Sequence, residues 1–122
     1  MDEELLSRQQ PQSLEAEQAV LGSILIDSRC ITDVVGIVKP EDFYLQQNRE
    51  IYEAIYTMFN FSQTIDPVTV LDKLKELGYY HDNSRDYILQ LMEITPTAAN
   101  VSEYIRIVKD KALLRRISET AG

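Results

Sequence analysis

Asp66-Pro67 and Gly78 enclose a stretch in which Val70, Leu71, Leu74 and Leu77 recur at helical spacing. Aspartate before proline starts a helix, because the carboxylate caps free N–H groups and proline is already at helical φ. Glycine ends one, because it takes the left-handed conformation without steric cost. The same punctuation cuts up the rest of the chain. Ser13 opens a helix over Leu14–Ile26, with Glu15 and Glu17 in its first turn, where the dipole favours anions. Apolar residues surround most of that segment, which makes it a central, buried helix, and Gly22 and Ser23 let a neighbour come close. A short helix from Asp27 or Ser28 runs to Val35 with Gly36 as its stop, and Pro40–Tyr44 reads as a tight turn or single helical turn. Ile51, Ala54, Ile55, Met58 and Phe59 set a helix over Gln46–Asn60; another spans Arg85–Ile94 before Pro96. The last and longest runs from Ala98 or Asn100 to about Thr120. The β-branched run Ile31–Val38 has no second strand to pair with, and a lone strand is not stable. These segments predict an all-α fold, a compact orthogonal bundle of about six helices in residues 11–122, preceded by a flexible arm over residues 1–10.

The final helix carries two apolar stripes. Val101, Tyr104, Ile105, Val108 and Ala112 share one face, which should close the core. Ile107, Leu113, Leu114 and Ile117 gather roughly opposite, interrupted by Arg106 and Asp110. Charges around the second stripe oppose full burial, so an interface is expected there.

Charge and composition narrow the chemistry. The 122 residues carry a net charge of −8, which opposes unaided binding to duplex DNA. Residues 101–122 hold five basic side chains against three acidic ones, an excess that suits the helix dipole better than a nucleic-acid patch. Cys30 is the single cysteine and cannot pair within the chain, which favours a reducing compartment; packing is its expected role. The acidic N-terminus is unlike a signal peptide, and the longest nearly apolar run, Ala19–Ile26, is far short of a bilayer span, so a soluble chain is expected. No phosphate cradle of the G-x-x-x-x-G-K-[ST] type is present, and Gly22, Gly36, Gly78 and Gly122 are too scattered to form another. His81 stands alone in a loop, where a surface position is expected. The acidic pairs Glu15 and Glu17, and Glu41 and Asp42, are expected to be solvated or dipole-facing, and most of the seven tyrosines to pack with their hydroxyls at the surface. The residues therefore support a binding or assembly module without catalytic or metal-binding residues.

Four stretches carry a family resemblance. They are Pro11-Gln12-Ser13-Leu14-Glu15-Ala16-Glu17-Gln18-Ala19-Val20-Leu21-Gly22, Pro40-Glu41-Asp42-Phe43-Tyr44, Asp66-Pro67-Val68-Thr69-Val70, and Pro96-Thr97-Ala98-Ala99-Asn100-Val101 continuing to Leu113-Leu114-Arg115-Arg116. In order and spacing the chain resembles the N-terminal domain of bacterial replicative DNA helicases of the DnaB type. That resemblance implies a non-catalytic collar domain of an ATP-dependent, DNA-unwinding homohexamer in the bacterial cytoplasm. The motor of such a helicase, a RecA-like domain using ATP and Mg, would follow a helical hairpin and linker and is absent from this chain. The implied partners are a DnaG-type primase and other subunits of the hexamer, with room for a helicase loader, only weak DNA contact and no membrane. Partner-facing residues by resemblance are Glu15 and Tyr87, and the segment near Ile117 leads toward the hairpin. One departure is Asn83-Ser84 where the family has Gly-Gly; asparagine tolerates left-handed backbone, so the turn is expected to persist. The loop Tyr79-Tyr80-His81 is also unusually aromatic. The alternative class is a free-standing helical regulator or DNA binder, against which the negative charge and the lack of a basic recognition helix count.

Overall fold

The computed structural model describes residues 10–121, so the expected arm lies outside the described residues except for Gln10. These residues form six α-helices and no strand. They are α1 (Leu14–Ile26), α2 (Ile31–Val35), α3 (Gln46–Asn60), α4 (Pro67–Leu77), α5 (Ser84–Glu93) and α6 (Val101–Ala121), with 3₁₀ turns at Ser28–Cys30 and Pro40–Asp42. The all-α expectation holds.

Local chemistry accounts for both ends of α4 and for the starts of α1 and α5. Ser13 Oγ accepts from the Ala16 N–H at 3.2 Å and opens α1. Asp66 and Thr69 cap α4 reciprocally: Asp66 Oδ1 accepts from the Thr69 N–H at 2.8 Å, and Thr69 Oγ1 from the Asp66 N–H at 2.9 Å. Gly78 closes α4 at φ 80°, a conformation that strains any residue with a Cβ. Asn83, by contrast, sits at φ −94° and ψ 4°, so the turn before α5 is made without a left-handed residue and does not draw on asparagine's tolerance of that conformation. The reason is a different closure: Ser84 Oγ accepts from the His81 N–H at 2.8 Å, and the Ser84 N–H donates to the His81 carbonyl at 3.0 Å.

Helix α1 is the hub. It packs against α6 and α5 and also meets α3, while α4 lies mainly on α3. Val20, Leu21 and Ile24 are fully buried, joined in one core by Ile51, Ile55, Leu74, Ile88, Leu91 and Val108. Gly22 permits the tightest approach: a Cβ there would collide with the Thr95 side chain and lie 2.5 Å from the Leu91 carbonyl oxygen. Phe43 stacks on Tyr52 with ring centroids 4.8 Å apart, and the Tyr52 hydroxyl, expected at the surface, instead donates to the buried Val38 carbonyl at 2.7 Å. Two carboxylates are likewise not where the acidic pairs were expected. Glu17 and Asp42 are buried, whereas Glu15 and Glu41 are exposed.

Candidate interaction surfaces

Glu17 explains how α3 starts without a cap of its own. Leu45 precedes that helix and offers no side-chain acceptor. The Glu17 carboxylate, brought by α1, accepts from the Tyr44 N–H at 2.7 Å, the Leu45 N–H at 3.3 Å and Asn48 Nδ2 at 2.9 Å. A buried anion is thereby placed at the positive end of a helix, with its oxygens satisfied. Asn48 Oδ1 in turn accepts from the Tyr87 hydroxyl, which accepts from Gln18 Nε2 at 3.3 Å. Burial raises the Tyr87 pKa above its ordinary value, so the hydroxyl stays a donor. Three helices, α1, α3 and α5, are tied by this one chain of polar contacts.

Tyr87, expected on the partner-facing side, is only 9% exposed and its polar tip is used internally. Glu15 is exposed, one helical turn before Gln18 and on the same side of α1, so it stands above the network that contains Tyr87.

The distal part of α6 is held by a second buried carboxylate. Asp42 accepts from the Lys39 N–H at 2.8 Å and pairs with Lys109 Nζ at 3.1 Å and with Arg116. Burial by itself would raise the Asp42 pKa; the Lys39 N–H and the two cations outweigh it and hold the carboxyl below its ordinary value. Arg115, only 8% exposed, donates to the Asp42 carbonyl at 2.6 Å and to the Pro11 carbonyl at 2.8 Å, with Tyr44 beneath its guanidinium at 5.4 Å. The basic excess of α6 is thus engaged largely within the domain, since Arg106 also pairs with Glu103 and Asp110.

Sequence reasoning passed over Glu17, Asp42 and Arg115, although each left a signal. Arg115 continues the spacing of Val101, Ile105, Val108 and Ala112, which places it on the core stripe. Glu17 precedes Val20, Leu21 and Ile24 at helical intervals and so shares their face. Asp42 lies three residues after Lys39 across a proline, the spacing at which a carboxylate caps a turn.

The second stripe of α6 divides. Ile107 is half-buried against the core, while Leu113, Leu114 and Ile117 are 45%, 47% and 63% exposed. Cys30 is buried, and its thiol is pushed up to about 11, chiefly by burial and then by Asp27 and Asp33, a direction that disfavours the thiolate. His81 is exposed and its Nε2 lies 2.9 Å from Glu50 Oε1. Among the described residues no group of three or more His, Cys, Asp or Glu could hold a metal ion, and no helix is long and apolar enough to cross a membrane.

The class is defined by an all-α scaffold whose buried Glu17, Asp42 and Arg115 are hydrogen-bonded or ion-paired and whose last helix leaves Leu113, Leu114 and Ile117 in solvent. The family follows from comparison. The model of the DnaB-like helicase N terminal domain matches residues 9–110, and the chain belongs to that family. Replicative DNA helicase DnaB of Leifsonia xyli subsp. xyli is 38% identical over 113 residues, which cover 92% of this chain and 25% of the relative. DnaB of Geobacillus stearothermophilus is 38% identical over 127 residues, covering 99% and 27%. The chain thus spans about a quarter of the length of the curated relatives it matches. Among solved structures, the crystal structure of the N-terminal domain of DnaB helicase from Mycobacterium tuberculosis superposes with a TM-score of 0.88 at 38% identity, over 93% of this chain and 79% of that one.

Proposed function

We propose that this domain is the assembly and primase-docking module of a replicative DNA helicase, whose complete form is a homohexamer that unwinds duplex DNA at the fork. ATP and Mg belong, in this reading, to a RecA-like motor elsewhere in the parent protein, and the setting is the bacterial cytoplasm. The observation that carries the reading is the exposed row Leu113, Leu114 and Ile117 on the distal part of α6, an apolar face that water does not favour and a neighbouring subunit or helical hairpin would cover. Ile107 borders that face from the core side. Glu15 provides the polar contact for a DnaG-type primase, and Tyr87 supports that surface from beneath through Gln18. A helicase loader would need a further surface, and DNA contact through this acidic domain would be weak.

Titration of the chain with the cognate primase, by calorimetry, tests the docking role. Glu15→Ala should weaken binding roughly tenfold, the scale of one interface hot-spot contact, with the melting temperature unchanged. Unchanged affinity, or a large loss of stability with binding intact, would reject it.

A further inference from the structure

A groove of about 390 Å³ runs between α4 and α5, on a surface the Glu15 and α6 readings do not use. Leu71 and the fully buried Ile88 form its floor, and Val68 and Leu89, 76% and 51% exposed, form its lips. Two cations, Lys75 and Arg85, stand beside them, with Asp72 the one carboxylate in the lining.

Those cations are unusual in this molecule. Arg29, Lys73, Arg106, Lys109 and Arg116 are ion-paired. Lys39, Arg49 and Arg115 are bound to backbone carbonyls. Among the described residues only Lys75, Arg85 and Lys111 have no hydrogen-bonded or ion-paired partner, and two of these three line the same groove. Lys75 is held in place without being neutralised, its Nζ lying 5.0 Å from the centre of the Tyr80 ring. In a chain of net charge −8, this is a local cationic frame around exposed apolar side chains.

We propose that the α4–α5 groove docks an acidic amphipathic helix of a partner protein. Charge selects the sign of the ligand, because two unpaired cations on an acidic domain attract carboxylates that the rest of the surface repels. Backbone chemistry selects its shape. The described residues offer no strand edge for an extended peptide to pair with, and an unpaired backbone over an apolar floor would lose hydrogen bonds to water; a helix satisfies its own. Leucine-type anchors at i, i+3 or i+4 would enter between Val68 and Leu89, while glutamates on the flanks reach Lys75 and Arg85.

The test uses the 122-residue chain and a fluorescein-labelled helical peptide with leucines at i, i+4 and i+7 and glutamates on its other face. A second peptide carries lysine at every glutamate position. The acidic peptide should bind saturably by anisotropy, with perturbed amide signals clustering on α4 and α5, and the lysine peptide should not bind. The double substitution Lys75→Glu, Arg85→Glu should weaken the acidic peptide about tenfold or more with the melting temperature unchanged, and Leu89→Ser should weaken it while leaving its salt dependence intact. Equal binding of both peptides, full affinity in the double variant, or amide shifts centred on α6 would overturn the proposal. So would a dimer of the unliganded chain that the same double substitution abolishes, since the occupant would then be a second copy.

Discussion

Along α6, two consecutive stretches of one helix bury opposite kinds of side chain. From Val101 to Val108 the inward positions are apolar, with Val101, Ile105 and Val108 between 2% and 5% exposed. From Lys109 onward the inward face passes from Ala112 to Arg115, and the outward face carries Leu113, Leu114 and Ile117. The first stretch is held by removing hydrocarbon from water. The second is held by a buried carboxylate, two cations and an arginine bound to carbonyls, contacts that have definite directions and lengths. A helix anchored in this way can leave its apolar side chains for a partner without losing its orientation.

The sharpest contrast should appear on truncating one apolar residue in each stretch. Ile105→Ala removes a side chain that is 3% exposed and should cost about 2–5 kcal/mol by urea denaturation. Leu114→Ala should stay within about 0.5 kcal/mol. Equal costs would mean that the two stretches are stabilised alike.

Asp42→Asn addresses the clamp directly. It removes the charge facing Lys109 and Arg116, whose side chains are 28% and 44% exposed and therefore partly screened by solvent, so a loss of about 1–3 kcal/mol is expected. Hydrogen exchange should speed up at residues 109–118 while 101–108 keep their protection. Uniform loss along α6 would show that the clamp is not a separate anchor.

Acid should reproduce that effect in the unsubstituted chain. The folded pKa of Asp42 lies below its ordinary 3.8, so its contribution is complete above that value and is lost as pH falls through the folded pKa. The stability difference between the chain and Asp42→Asn should therefore be constant near neutrality and shrink below 3.8, measured by urea titration at each pH. A difference that persists undiminished well into acid would place the clamp elsewhere.

An effect on folding as small as that of Leu114→Ala, within about 0.5 kcal/mol of the unsubstituted chain, is expected from Leu114→Asp. Its consequence should lie in association: sedimentation equilibrium should show weaker self-association both for this chain and for one extended toward the hairpin. If the substitution unfolds the domain and leaves association untouched, Leu114 belongs to the core.

Helix boundaries were legible in the sequence because their causes are local. Ser13, Asp66-Pro67 and Gly78 act on backbone groups within a few residues, and the ends they predict coincide with those of α1 and α4. The proximal core stripe of α6 was equally legible, since helical phase depends only on spacing. Long-range partnership was not. Glu17 is 31 residues from Asn48, and Asp42 is 67 from Lys109 and 74 from Arg116. Whether a carboxylate is solvated or buried depends on which donors the fold brings to it, and burial without them would cost several kcal/mol. Apart from the local Lys39 N–H on Asp42, those donors come from packing of α1 against the start of α3 and of α6 against the Pro40 turn. The same dependence governs Arg115 and Leu114, adjacent in sequence yet one inside and one outside: phase turns Arg115 toward the core and Leu114 away from it, but a guanidinium is tolerated there only because the fold brings the Asp42 and Pro11 carbonyls to it.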